Sequence, residues 1–166
     1  MKKADVAIFI GSASDESVVA PCADILKKLE IPFLFTVSSA HRTPERTAKL
    51  VNDLEAAGCR IYICAAGLAA HLAGAVAART IKPVIGIPIT GSALNGLDAL
   101  YATLQMPPGF PVATVALDKP GAKNAAWLAA QILALSNEDL ARRIKAERAG
   151  FAEKVEEAAA ELEAKY

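Results

Sequence analysis

An excess of charge of either sign is missing from this 166-residue chain: 18 lysines and arginines balance 18 aspartates and glutamates, for a formal net charge of zero. A protein that binds a nucleic-acid backbone or an anionic membrane through its overall field carries a basic excess or a basic block, and neither is found here. Any anion must be held locally. Cysteine is scarce too. Cys22, Cys59 and Cys64 are too few and too irregularly spaced for a disulfide framework, and only two histidines could join them as ligands, so a reducing, cytoplasmic setting and no structural zinc are expected. No apolar run reaches the roughly 18 residues of a membrane span before proline, glycine or a charge interrupts it. Met1-Lys2-Lys3 leads into Ala4-Asp5-Val6-Ala7-Ile8, which is strand-like and lacks the longer apolar stretch of a secretory signal.

Several chemical signatures are absent as well. There is no Gly-x-x-x-x-Gly-Lys-Ser/Thr phosphate loop, no Gly-x-Gly-x-x-Gly fingerprint and no Gly-x-Ser-x-Gly elbow. The histidines are not at metal-binding spacing on one helix, and no dense carboxylate cluster offers a magnesium site. Proton transfer in a small, water-poor pocket that holds an anionic ligand is the chemistry left open.

What is present is apolar. At 54% hydrophobic and 22% charged, the chain has ample material for one core, and a single domain over residues 1–166 is expected. The low charge and the Ala-rich middle suggest surface buried between subunits. Short β-branched runs at Val6–Ile10, Phe33–Val37, Ile61–Ala66, Val84–Ile87 and Val112–Val115 alternate with helical segments near Glu16–Leu29, Pro44–Ala57, His71–Arg79, Leu94–Leu104 and Ala122–Leu135. That alternation predicts an α/β fold with a parallel sheet between helices. The strands read as continuously hydrophobic, as strands covered on both faces do.

From Ser136 the character changes. Leu140, Ile144, Phe151, Val155 and Leu162 form one apolar stripe on a charged segment, with a break or bend expected near Gly150. Ser136 and Asp139 are placed as a capping box. A helix running from there to Tyr166 would be about 45 Å long at ~1.5 Å per residue. It is expected to reach over a neighbouring subunit, the other possibility being that it folds back on residues 1–135.

In a parallel sheet the ligand crevice lies beyond the carboxyl ends of the strands. The first such turn, Gly11-Ser12-Ala13-Ser14-Asp15, offers a tight bend, hydroxyls and a helix start to an anion, with Asp15 suited to sugar hydroxyls; equally, Ser14 or Asp15 serves only as a helix cap. The second, Ser38-Ser39-Ala40-His41-Arg42-Thr43-Pro44, crowds a hydroxyl, an imidazole and a guanidinium together. Arg42 can grip a phosphate or carboxylate with two parallel N–H bonds, and an imidazole such as that of His41 can pass a proton either way. The third, Ala65-Ala66-Gly67-Leu68-Ala69-Ala70-His71-Leu72, allows close approach of backbone to a flat ligand or a one-carbon fragment. His71 either orients a carboxylate or is a satisfied core residue. The stretches Pro88–Gly96 and Gln105–Gly109 are further candidates for pocket walls.

Taken in order, Gly11-Ser12-Ala13-Ser14-Asp15, Ser39-Ala40-His41-Arg42-Thr43-Pro44 and Gly67 through His71-Leu72 resemble the N5-carboxyaminoimidazole ribonucleotide mutase family, the catalytic subunit of bacterial phosphoribosylaminoimidazole carboxylase. Pro83-Val84-Ile85-Gly86-Ile87-Pro88, Gln105-Met106-Pro107 and Asn124-Ala125-Ala126 extend the likeness to about Leu135. The resemblance implies a three-layer flavodoxin-like fold with helices on both faces of the sheet, assembled as an octamer with active sites at subunit junctions. It implies a ribonucleotide substrate, with His41 as acid/base, Arg42 on the phosphate, and Ser12, Ser14 and Asp15 on ribose and phosphate. Gly11, Ser39, Ala40, Gly67 and His71 complete the expected binding set. No metal, nucleotide cofactor or biotin is implied, and a separate enzyme would make the labile carbamate substrate.

The sequence departs from the family's usual run at Ala65, Leu68 and Ala73, which stand where glycine, glycine and proline are usual. Leu68 bears most on function, because a side chain there alters the carboxylate pocket or demands a different backbone angle. Two other functions fit the same features: direct carboxylation of aminoimidazole ribonucleotide by carbon dioxide, and a non-catalytic flavodoxin-like nucleotide-binding module. A pyridine mononucleotide carboxylase is a remoter relation.

Overall fold

The computed structural model describes residues 3–166; Met1 and Lys2, part of the lead into the first strand, lie outside the described residues. Five parallel strands form one sheet in the order β2-β1-β3-β4-β5, with β1 Val6–Ile10, β2 Phe33–Val37, β3 Ile61–Gly67, β4 Val84–Ile89 and β5 Ala113–Thr114. The helices are α1 Glu16–Lys28, α2 Pro44–Ala56, α3 Leu72–Ala77, α4 Leu97–Leu104, α5 Asp118–Ala134 and α6 Glu138–Lys165. Internal contacts divide the chain into two compact units, residues up to Ala129 and Ala130–Tyr166.

Within the first unit, β1 and β4 are buried along their whole length and β3 is buried from Ile61 to Ala65, in keeping with their uninterrupted apolar sequences. The edge strand β2 is only partly covered. Alternate residues serve opposite faces. Ala7, Phe9, Tyr62, Cys64 and Val84 point to one face and form a core with Val51 and Leu54 of α2 and Leu72, Ala73, Val76 and Ala77 of α3. The rings of Phe9 and Tyr62 sit 5.9 Å apart, and the Tyr62 hydroxyl donates to Val51 O at 3.0 Å, which satisfies the one polar atom that ring brings inside. On this face Gly86 lets α4 lie directly on the sheet, since a Cβ there would fall 2.2 Å from Thr103 Cγ2. Val6, Ile8, Ile61, Ile63, Ile85 and Ile87 fill the other face. There α5 comes so close that a Cβ on Gly121 would fall 3.2 Å from Ile87 Cγ2. This is the three-layer, flavodoxin-like arrangement.

Element ends differ from expectation for local reasons. α4 begins at Leu97 and not Leu94, because Asn95 (φ 51°) and Gly96 (φ 83°) take left-handed backbone that a helix cannot include. α5 begins four residues earlier than expected, at Asp118, with Pro120 in its first turn, where a missing N–H leaves no helical bond unmade. β5 shrinks to two residues, and β3 and β4 run on to Gly67 and Ile89, paired with each other at their ends.

In the second unit α6 is continuous through Gly150, so the expected break is not found. The capping box at Ser136 is also corrected. Asn137 is the N-cap, its Oδ1 accepting from Leu140 N at 3.1 Å, while the Ser136 hydroxyl turns back to Leu133 O and Asp139 pairs with Arg142. The chain needs Leu135–Asn137 to close the end of α5, with N–H groups bonded to Ile132, Leu133 and Ala134 carbonyls, so the next helix starts one residue later. Leu140 and Ile144 of the stripe are buried, whereas Phe151, Val155 and Leu162 are exposed.

Candidate active site

The turns that follow β1, β2, β3 and β4 arrive at the same end of the sheet. Gly11 follows β1, its N–H bonded to Ala65 O at 2.9 Å. Ser12 caps the short 3-10 turn Ala13–Asp15, its Oγ accepting from Ser14 N at 3.4 Å and from Ser14 Oγ at 2.9 Å. Asp15 occupies the N-cap position of α1 but makes no side-chain cap bond, and Ser12 caps only the preceding 3-10 turn.

The turn after β2 is braced from within. Thr43 Oγ1 accepts from Ser39 N at 3.0 Å and donates to Ser39 O at 3.1 Å, and Pro44 then opens α2 with its φ already fixed. Beneath it the buried Ser38 and Thr47 hydroxyls lie 2.7 Å apart. Thr47 donates to Thr43 O, so its one hydrogen is spent and Ser38 is the donor between them. This bracing presents His41 and Arg42 outward, while Ala40 is half-buried against the core. Ser39 Oγ accepts from the Arg42 backbone N–H at 3.2 Å, and the Arg42 guanidinium reaches across to donate to Gly11 O at 3.1 Å. The guanidinium therefore ties the first turn to the second.

His71, in the turn after β3, is exposed and not a core residue. Its Nδ1 lies 2.9 Å from His41 Nε2, with the rings edge to face at 76° and 4.9 Å between centroids. One of the two nitrogens donates to the other. Three residues earlier Leu68 holds φ 55°, a backbone angle that costs a residue with a Cβ roughly 1–2 kcal/mol. This left-handed angle is one that favours glycine, so the different backbone angle anticipated for a side chain here is not taken.

One cleft of about 790 Å³ is lined by all ten expected site residues, Gly11, Ser12, Ser14, Asp15, Ser39, Ala40, His41, Arg42, Gly67 and His71. Leu68, Val18, Ile89, Thr90 and Gly91 are among the others that line it. The Pro88–Gly96 stretch supplies a wall as expected; Gln105–Gly109 does not. Met106 is drawn against the apolar core, and Gly109 borders a separate cavity of about 740 Å³ beside Lys82 and Phe110.

Sequence reading missed Asp118. Its carboxylate accepts from Thr90 N at 2.8 Å and Thr90 Oγ1 at 2.6 Å, clamping the wall that Thr90 and Gly91 form. Asp118 also holds φ 53°. No sequence spacing announces a link across 28 positions. Among the described residues no group of three or more histidines, cysteines or carboxylates is placed to hold a metal ion, and no helix is long and apolar enough to cross a membrane.

The AIR carboxylase family model matches residues 5–154. This chain belongs to that family. Among its relatives in the AIR carboxylase family, the N5-carboxyaminoimidazole ribonucleotide mutase of Pyrococcus horikoshii is 46% identical over 158 residues, covering 95% of this chain and 88% of the relative. The Escherichia coli K12 protein of the same name is 46% identical over 141 residues, covering 85% and 83%. Treponema denticola PurE, a crystal structure, superposes with a TM-score of 0.86 at 32% identity over 95% of this chain and 97% of that one. For a PurE2 variant of the same organism the TM-score is 0.87 at 31% identity, over 95% and 96%.

Proposed function

We propose that this chain is an isomerase of purine biosynthesis that converts N5-carboxyaminoimidazole ribonucleotide into 4-carboxy-5-aminoimidazole ribonucleotide, with His41 as acid/base. The observation that carries this reading is the meeting of Arg42, the Gly11–Asp15 turn and the hydrogen-bonded pair His41–His71 in one cleft. Arg42 and the Ser12 and Ser14 hydroxyls bind the phosphate, and Asp15 accepts from ribose hydroxyls. Gly11, Ser39, Ala40 and Gly67 shape the contact surface, and His71 orients the carboxylate.

The carbamate N–C bond breaks to give carbon dioxide, and the nitrogen takes up a proton. C4 of the ring then attacks the carbon dioxide, a C–C bond forms, and the C4 proton leaves. One proton enters and one departs, so a single imidazole that gives and then takes back a proton serves both halves. Holding carbon dioxide beside C4 replaces a dilute encounter with a high effective concentration.

The same reading extends to the assembly: one catalytic domain over 1–166 with residues 136–166 seated on a neighbouring subunit, in a cytoplasmic homo-octamer supplied by an enzyme that carboxylates the amine. Supporting it are the exposed apolar residues Phe151, Val155 and Leu162 on α6, which a neighbour would cover.

The test is turnover of the carbamate substrate at low bicarbonate beside turnover of unmodified aminoimidazole ribonucleotide with added bicarbonate. The first is expected to be the faster. Turnover of the second alone would establish the direct carboxylase in its place, a reading favoured by the name of the family model.

A further inference from the structure

Leu68 stands against its own backbone preference. Its φ of 55° lies in the left-handed region, where a side chain crowds the following carbonyl and glycine does not. A residue held there by the fold commonly gains by burying its side chain, yet Leu68 is 61% exposed. It is also flanked on both sides by small residues, Ala66-Gly67 and Ala69-Ala70. Neither backbone geometry nor core packing accounts for leucine at this position. The space it faces does, because Leu68 lines the cleft together with His41 and His71.

The lining of that cleft is chemically uneven. Most of the hydroxyls and the charge come from the turns after β1 and β2, whereas Leu68 in the turn after β3, Leu72 at the start of α3 and Ile89 at the end of β4 contribute hydrocarbon beside His71 and Thr90. Carbon dioxide carries no charge and has no hydrogen to donate, so polar side chains give it little hold. An apolar wall serves it better by keeping water, and with it exchange, out of the compartment.

We propose that Leu68 covers the one-carbon compartment, closing over the imidazole end of the bound nucleotide so that released carbon dioxide stays beside C4. This rests on the mutase reading above. Leu68 takes no part in breaking the N–C bond or forming the C–C bond; it acts by confinement.

The test uses the full-length protein in its native assembly and substrate carrying carbon-13 in the carbamate carboxyl, in unlabelled bicarbonate. After correction for enzyme-free loss, the wild type is expected to retain nearly all the label in product. Leu68→Gly relieves the backbone and removes the cover, so label loss should rise about fivefold or more while Tm stays level or increases. Leu68→Ala keeps the strained backbone and should leak as much without any gain in Tm, and Leu68→Met should restore retention. Wild-type retention in both the glycine and alanine variants would overturn the proposal. So would a changed assembly mass in either, because the side chain would then serve a subunit contact. If the wild type acts only on the unmodified ribonucleotide, the mutase reading fails separately. Leu68 is then judged by the bicarbonate concentration at half-maximal rate: a severalfold rise in Leu68→Gly upholds confinement, and an unchanged value removes it.

Discussion

His41 Nε2 and His71 Nδ1 face each other at 2.9 Å, and only one of them can carry a hydrogen between them. Between neutral rings, His41 Nδ1 is an acceptor if His41 donates and bears the hydrogen if His71 donates. In either case Nδ1 is the His41 nitrogen left for a ligand, and the tautomer of one ring dictates that of the other.

Replacing His41 by Ala should lower kcat by about 10²–10⁴, the usual worth of a positioned proton-transfer group, while ribonucleotide binding persists. Replacing His71 by Asn keeps a polar partner for His41 and should cost roughly tenfold in kcat. Steady-state kinetics beside equilibrium binding of the ribonucleotide check both, and wild-type turnover in His41→Ala would remove its proposed role.

Arg42→Lys preserves charge but not the planar fork. The substitution also loses the reach to Gly11 O that joins the first two turns. We expect KM to rise about tenfold with kcat little changed, since binding of a non-reacting phosphate is what is lost. A kcat loss with unchanged KM would put Arg42 at the reacting carbon instead.

Asp118→Asn isolates the clamp on Thr90. Asparagine tolerates the φ of 53° at this position, so the backbone stays at ease. Its amide keeps one acceptor oxygen where the carboxylate had two, each taking a bond from Thr90. A stability loss of about 1–2 kcal/mol in urea and a raised KM should appear together. A stability loss alone would separate Asp118 from the site.

Burial pushes the Cys22 thiol up from an ordinary 9.0 to about 12, and it raises Cys59 and Cys64 as well. A thiol whose folded value lies above its unfolded one favours the folded state fully below about pH 9, and that contribution drains away as pH climbs toward 12. Denaturation midpoints should therefore fall above pH 9, and less steeply in Cys22→Ala. A disulfide reagent at pH 8 should find none of the three thiols in the native protein and all of them in denaturant.

Much of this fold was legible because apolar runs are short and punctuated. Val6–Ile10 and Phe33–Val37 coincide with β1 and β2 end for end. The site was legible for the converse reason: in a chain sparing with charge, His41, Arg42 and Asp15 stand out at strand ends, where parallel sheets gather ligands. Other features depend on information that no local window holds. Gly96 reads as helix until its left-handed backbone starts α4 late, and Asn137 becomes the cap of α6 only because Ser136 is needed to finish α5. Asp118 meets Thr90 only once β4 and α5 are both in place.

The strand order β2-β1-β3-β4-β5 puts β1 between β2 and β3, with partners from later in the chain on both sides. Arg42 and His41 arrive with one flank, and His71 and Thr90 with the other. All ten expected site residues lie between Gly11 and His71, but Thr90 and Gly91 of the wall and its clamp Asp118 come from the second half, so a nascent chain that has released only its first half lacks that wall. Ligand affinity is consequently a gauge of completed folding, and bound nucleotide shields the intact molecule from unfolding by mass action.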